Sequence, residues 1–339
     1  MSSVVFQETN YVEEGEKMAI LRTVLGDVPA NQMGITYPHE HLTLGFAGAR
    51  QEMGDRFDRE GVITEICDDV GKAMKAHGVT TFVDVTTSEI GRDTDILYAV
   101  AERLNINVVA ATGFFAQING LPFFWRFMDV DRYKERLVRD ITEGVEPNKV
   151  KCGVIKVAIG EATLQEREEK AFRAAAQVSQ EYGVAICVHT RDGWLDDYPA
   201  PLQALDIMLK EGATPAKIYM GHLEHIFDNP GEHNFPSLMQ IAQRGANLAF
   251  DVVGRYKDKW DEPRATSVAK LFEKGYGNRV ILSMDHQGAW VPERPERYVS
   301  FGTRYTDLYD YLPQLSEAGL TDEQISTILV DNPRNLLTF

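Results

Sequence analysis

The chain has 339 residues, 44% of them hydrophobic and 25% charged, the balance of a soluble globular protein with a sizeable core. Its formal net charge of -16 argues against a nucleic-acid backbone or an anionic membrane as partner. Cys67, Cys152 and Cys187 form no CxxC pair and are too few for a disulfide framework, which points to a reducing, cytoplasmic setting with the thiols in the core.

Residues 1–18 hold four glutamates, one lysine and no long apolar run, so they read as neither a signal peptide nor a transit sequence. Residues 1–20 are expected to be a flexible tail. No stretch approaches the length of a transmembrane helix. The first strand is expected at Tyr37-Pro38-His39-Glu40-His41-Leu42. The polar segment 45–61 reads as a loop. Val62, Ile66, Val70 and Met74 then recur at helical spacing, and Gly78 closes the helix 62–76. Further strands are expected at 80–87, 107–113, 153–158, 184–189, 217–222, 246–251 and 279–285. Helices alternate with them at 94–104, 131–143, 165–182, 201–210, 235–243 and 266–274, and two more at 305–318 and 322–330 finish the chain.

These strands are continuous apolar, β-branched runs, as a parallel sheet buried on both faces requires. Eight β/α units without a linker predict one domain over residues 21–339, a single closed (β/α)8 (TIM) barrel. A doubly wound open sheet is the alternative, but neither GxGxxG nor GxxxxGK[ST] is present.

In a (β/α)8 barrel the chemistry sits at the C-terminal strand ends. The polar residues there are His39 and His41 on the first strand, Lys156 on the fourth, His189 on the fifth, His222 on the sixth, Asp251 on the seventh and Asp285 on the eighth. His39 and His41, two apart on a strand, point to one face about 6.6 Å apart, and Glu40 points away to brace the strand. A lone strand-end histidine is more often structural. Four imidazoles and a carboxylate converging on one mouth are enough for two divalent metals, and such donors suit zinc, manganese, cobalt or iron.

GITYPHEHL, IGRD, AATG, VIKVA, VHT, MGH and SMD, in this order, resemble the phosphotriesterase family, with its phosphotriesterase-like lactonases, in the amidohydrolase superfamily. The resemblance runs over residues 21–339. It implies that His39, His41 and Asp285 hold a buried metal ion and that His189 and His222 hold a more exposed one. It also implies that Lys156, carboxylated on its amine, bridges the two, and that zinc is the foremost metal. Hydroxide shared by the ions would attack the substrate while Asp285 takes the proton. The leading activity is hydrolysis of a lactone or related carboxylic ester. Phosphotriester, phosphoester or amide hydrolysis is the alternative, and a non-catalytic metal-binding barrel the second.

The substrate residues depart from the family's patterns. Phosphotriester-hydrolysing members place a histidine directly after the strand-seven aspartate, where this chain has Val252. Lactonase members carry a tyrosine after the third strand, where this chain has Phe114, Phe115 and Gln117. The arginine many lactonases place just after that aspartate comes late, as Arg255, with Tyr256 next. Phe115, Arg255, Tyr256 and Trp290 are therefore the candidate substrate-binding residues. His225 reads as a loop residue. The expected partners are a small-molecule substrate and, from the resemblance, a second copy in a homodimer.

Overall fold

A computed structural model describes residues 19–54, 56–190, 200–228, 234–294, 296 and 302–339. Of the expected tail, residues 1–18 lie outside the described residues, and Ile20 already belongs to a strand. β1 (Ile20–Thr23) and β2 (Gly26–Pro29) form an antiparallel hairpin. The main sheet holds β3 (Ile35–Leu44), β4 (Val79–Asp84), β5 (Asn107–Phe114), β6 (Val154–Ala158), β7 (Ala185–His189), β8 (Ile218–Met220), β9 (Asn247–Phe250), β10 (Val280–Leu282) and β11 (Gln287–Trp290). Among the described residues its order is β10-β9-β8-β7-β6-β5-β4-β3-β11, with every pairing parallel.

The sheet curls on itself. Beyond β10, at one end of the order, Asp285 N–H donates to His39 O at 3.1 Å and His41 N–H to His286 O at 3.0 Å on β3, near the other end. The eight expected strands are β3 to β10. β11 and the hairpin were not expected: each strand has four residues and glycine or charge within it, and its pairing is imposed by tertiary contacts.

Helices α1 (Ala49–Met53), α2 (Arg59–His77), α3 (Thr94–Leu104), α4 (Val130–Thr142), α5 (Glu166–Tyr182) and α6 (Ala200–Lys210) alternate with the strands. So do α7 (Asn234–Gln243) and α8 (Lys257–Glu273), and α9 (Asp307–Glu317), α10 (Asp322–Ser326) and α11 (Asn332–Leu337) follow. Asp58, Asp93 and Asp129 cap α2, α3 and α4, each accepting from first-turn N–H groups. α1 lies inside the expected loop, and α8 begins nine residues before the expected 266.

Period-two alternation divides the core into two layers. Phe82, Val108 and Ala110 point outward into the layer under the helices. Val83, Val109, Val154, Ala185, Cys187, Ala249 and Ile281 point inward and pack together with Leu21, Met33, Leu336 and Leu337. The same alternation carries the inner face onward to polar residues: Val154 leads to Lys156, Cys187 to His189, Ala249 to Asp251, and Ile281 through Ser283 to Asp285. On β3 the register against β4 shifts between Tyr37 and Glu40, around Pro38, which has no N–H to lose. At the other end Ile20 and Phe339 exchange two backbone hydrogen bonds of 3.1 Å.

Candidate active site

Two acceptor sets meet at the strand ends. In the first, His41 Nε2 lies 3.2 Å and His39 Nε2 3.7 Å from Asp285 Oδ1. In the second, His222 Nε2 lies 2.7 Å from His189 Nδ1. Lys156 Nζ joins them, 2.9 Å from His39 Nε2 and 3.3 Å from Cys187 Sγ. Among the described residues no carboxylate lies within ion-pair distance of this fully buried amine. The structure therefore brings His39, His41, Lys156, His189, His222 and Asp285 to one place.

Hydrogen bonds behind the rings decide which nitrogens face inward. Asp251, fully buried, accepts from His39 Nδ1 at 2.5 Å and from His222 Nδ1 at 2.9 Å. The Thr86 hydroxyl spends its proton on Thr43 O at 2.8 Å, so it accepts from His41 Nδ1 at 2.7 Å. With Nδ1 protonated on His39, His41 and His222, each Nε2 presents a lone pair to the centre. Burial, and then the neighbouring His222 and Lys156, hold His189 well below the usual imidazole range. Burial would raise the Asp285 carboxyl, but the Arg255 charge beside it outweighs this and holds the group well below its ordinary range.

Ligand atoms of His39, His41 and Asp285 all lie within 4.8 Å of one another. Lone pairs and a carboxylate crowded in this way suit a divalent cation. Ligand atoms of His39, His222 and Asp251 lie equally close, within 4.8 Å of one another, yet Asp251 is already engaged by two Nδ1–H groups and orients the rings from behind. Its approach requires Gly221: a Cβ there would stand 2.6 Å from Asp251 Oδ2. His222 and Asp285 both sit at positive φ, 56° and 47°, a costly backbone for residues with a Cβ.

Glu40 braces the seam. It accepts from Ser283 Oγ at 2.6 Å, Met284 N at 3.0 Å and His286 N at 2.8 Å, which positions the segment carrying Asp285. Burial pushes its carboxyl up to about 8 against these three donors.

A cavity of about 170 Å³ opens in front of the cluster. Leu44, Phe46, Ile90, Phe115 and Trp290 form its apolar wall, and Asn119, His225, Arg255 and Gln287 are polar lining groups. Phe115 stands edge-on to His189, with centroids 5.2 Å apart. Arg255 is turned onto the cluster: Nη2 donates to Asp285 Oδ2 at 2.7 Å and to Asp285 O at 2.8 Å. Tyr256 is 58% exposed and rests edge-on against Trp260, apart from the cavity lining. Sequence reasoning gave no part to Thr86, Asn119 or Gln287. Nothing in their local pattern marks them, because each is brought in by a neighbouring strand or loop.

Polar acceptors gathered at the C-terminal strand ends of a curled parallel sheet are the layout of an enzyme active site in an α/β protein. The chain belongs to the phosphotriesterase family, matching it over residues 19–337. It is 28% identical over 316 residues to the aryldialkylphosphatase of Saccharolobus solfataricus, covering 92% of this chain and 97% of that one. It is 30% identical over 344 residues to the phospho-furanose lactonase of Mycoplasmopsis agalactiae, covering 95% and 92%. The solved organophosphorus hydrolase from Deinococcus radiodurans superposes with a TM-score of 0.82 at 28% identity, covering 97% of this chain and all 100% of that one.

Proposed function

We propose that this hydrolase is a binuclear metal enzyme on a closed (β/α)8 barrel and that it opens a lactone or a related carboxylic ester. The observation that carries the reading is the convergence of His39, His41 and Asp285 with the His189–His222 pair, their ring tautomers set by Asp251 and Thr86. The eight expected strands and the backbone hydrogen bonds that join Asp285 N–H to His39 O and His41 N–H to His286 O support the closed barrel. His39, His41 and Asp285 would hold one divalent ion and His189 and His222 the other, zinc foremost. Lys156, carboxylated on Nζ, would offer an anionic oxygen to both, which agrees with a buried amine that has no carboxylate partner among the described residues. Two such ions would lower the pKa of a water they share and polarise the substrate's C=O or P=O oxygen.

The chain's own groups do the rest. Asp285 Oδ1 faces the centre and takes the proton of the attacking water, while Arg255 holds Oδ2 and keeps the carboxylate ionised and oriented. Asp251 and Thr86 keep the imidazoles in one tautomer. Phe115, Ile90 and Trp290 give the substrate's non-reacting part an apolar wall and exclude water from it.

The test is a panel of lactones, aryl esters, phosphotriesters and N-acyl compounds, assayed with zinc-loaded enzyme. Lactone turnover that exceeds the others, disappears on chelation and returns with zinc supports the reading. Full activity in metal-free protein refutes it. The likeness to an aryldialkylphosphatase favours phosphotriester hydrolysis as the second reading, and the same panel separates them. Loss of turnover in Asp285→Asn distinguishes an enzyme from a non-catalytic metal-binding barrel.

The proposal extends to assembly and location. Ile118, Phe123, Phe124 and Phe127 are between 55% and 69% exposed on the connection after β5, a face suited to a second copy in a homodimer. Sedimentation of wild type beside Phe124→Lys tests it. Three free, buried cysteines support a cytoplasmic setting, and no helix among the described residues is long and apolar enough to cross a membrane.

A further inference from the structure

We infer that Glu224 and Arg264 are positioning residues for the metal ligands, acting through Asp251; this rests on the metal-centre reading above. Both side chains are fully buried. Glu224 lies two residues after His222, on the turn that follows β8, and Arg264 comes from α8. Arg264 Nε donates to Glu224 Oε1 at 2.8 Å, and the backbone N–H of Val252 donates to the same oxygen at 3.3 Å. Val252 is the residue after Asp251. In the opposite direction, the backbone N–H of His222 donates to Asp251 Oδ1 at 2.6 Å.

The two strand ends therefore clasp each other reciprocally. An acid on each receives an N–H from the other, and one of those acids orients His39 and His222. Arg264 ties the clasp to the helical layer: Nη1 donates to Asp261 Oδ1 at 2.7 Å, and the guanidinium lies 5.0 Å from the ring centroid of Tyr311 on α9.

Stability alone does not account for this arrangement. A fully buried ion pair contributes little over an apolar pair of similar volume. Glu224 Oε2 is also buried without a hydrogen-bond partner among the described residues, a further cost. What the pair supplies is register between residues 222–224 and 251–252, and that register sets where the two imidazole Nε2 atoms point.

The experiment compares zinc affinity, by competition with a chromophoric chelator, with the melting temperature of the zinc-free protein. The proteins are wild type, Glu224→Gln, Arg264→Lys and the double variant Glu224→Met/Arg264→Met. The double variant should melt within a few degrees of wild type yet bind zinc about 10–100-fold more weakly, the usual effect of losing an outer-shell partner. Glu224→Gln keeps the Oε1 acceptor and should bind zinc within about threefold of wild type. Arg264→Lys keeps the charge but not the fork between Glu224 and Asp261, and should weaken zinc about three- to tenfold. It provides the measurement if the double variant fails to fold. Unchanged zinc affinity in the folded double variant, or in Arg264→Lys where the double variant does not fold, overturns the inference, as does an affinity loss that merely follows melting temperature. Wild type that takes up no zinc overturns the metal reading itself, and this inference with it.

Discussion

Replacing Arg255 with methionine removes the cation that holds the proposed proton acceptor. Arg255 Nη2 reaches Asp285 Oδ2 at 2.7 Å and Asp285 O at 2.8 Å, and both residues are buried. Unit charges about 4 Å apart attract by roughly 4 kcal/mol at an effective dielectric near 20. Burial opposes that attraction, but the cation prevails and holds the Asp285 carboxyl well below its ordinary range. Losing the cation favours the protonated form. The acid limb of kcat/KM for zinc-loaded Arg255→Met should therefore move to higher pH. The carboxylate also loses its second anchor, so kcat should fall roughly 10–100-fold while KM stays within about threefold. The assay is a pH–rate profile on the best substrate of the panel, with zinc content checked at each pH. An unmoved acid limb with intact kcat and a KM raised about tenfold would refute this account and return Arg255 to substrate binding.

Asp251→Asn should bind zinc about 10–100-fold more weakly by chelator competition. Its single carbonyl oxygen cannot serve Nδ1–H groups at both His39 and His222 together with the His222 backbone N–H, and wild-type affinity would contradict the clamp. Glu89 is buried, which alone would raise its carboxyl, but the charge and 2.9 Å hydrogen bond of Arg136 lower it below the ordinary 4.5. A depressed carboxyl contributes stability above its ordinary value and loses that contribution as pH falls through the folded one. In Glu89→Gln the dependence of melting temperature on pH below about 4.5 should therefore flatten, and parallel curves would count against the pair. Lys217 Nζ donates to Asn335 O at 3.1 Å and Leu336 O at 3.0 Å at the end of α11. Lys217→Met should cost about 1–3 kcal/mol and lower the melting temperature by a few degrees without changing zinc affinity.

The eight strands β3 to β10 were legible because a parallel strand covered on both faces must be apolar throughout, and VIKVA and VAICVH show this in the letters alone. The strand-end residues were legible for the same reason, since period two places Lys156, His189 and Asp285 on the inner face once the strand is known. α8 was only half read. Its first half contains Pro263 and several charges, which look like a loop, yet Trp260, Asp261 and Arg264 are buried there by partners on other elements. The Arg255–Asp285 contact was equally hidden, because the two residues lie 30 positions apart and meet only when the strand ends are brought side by side. Glu40 was read correctly as a brace: alternation turns it away from the histidines, and it accepts from Ser283, Met284 and His286.

The paired backbones of Ile20 and Phe339 make the chain between them nearly a ring. Leu21, Leu336 and Leu337 pack beneath the inner residues of the strands, at the end away from the histidines. A short linker from 339 to 20 would close that ring without approaching the cavity, and new ends opened at an exposed helix–strand connection would leave every strand its neighbours. Such a permuted chain would present its candidate ligands in a different order along the sequence while keeping them in the same place, so the order in which the motifs occur is a property of where the ring is cut.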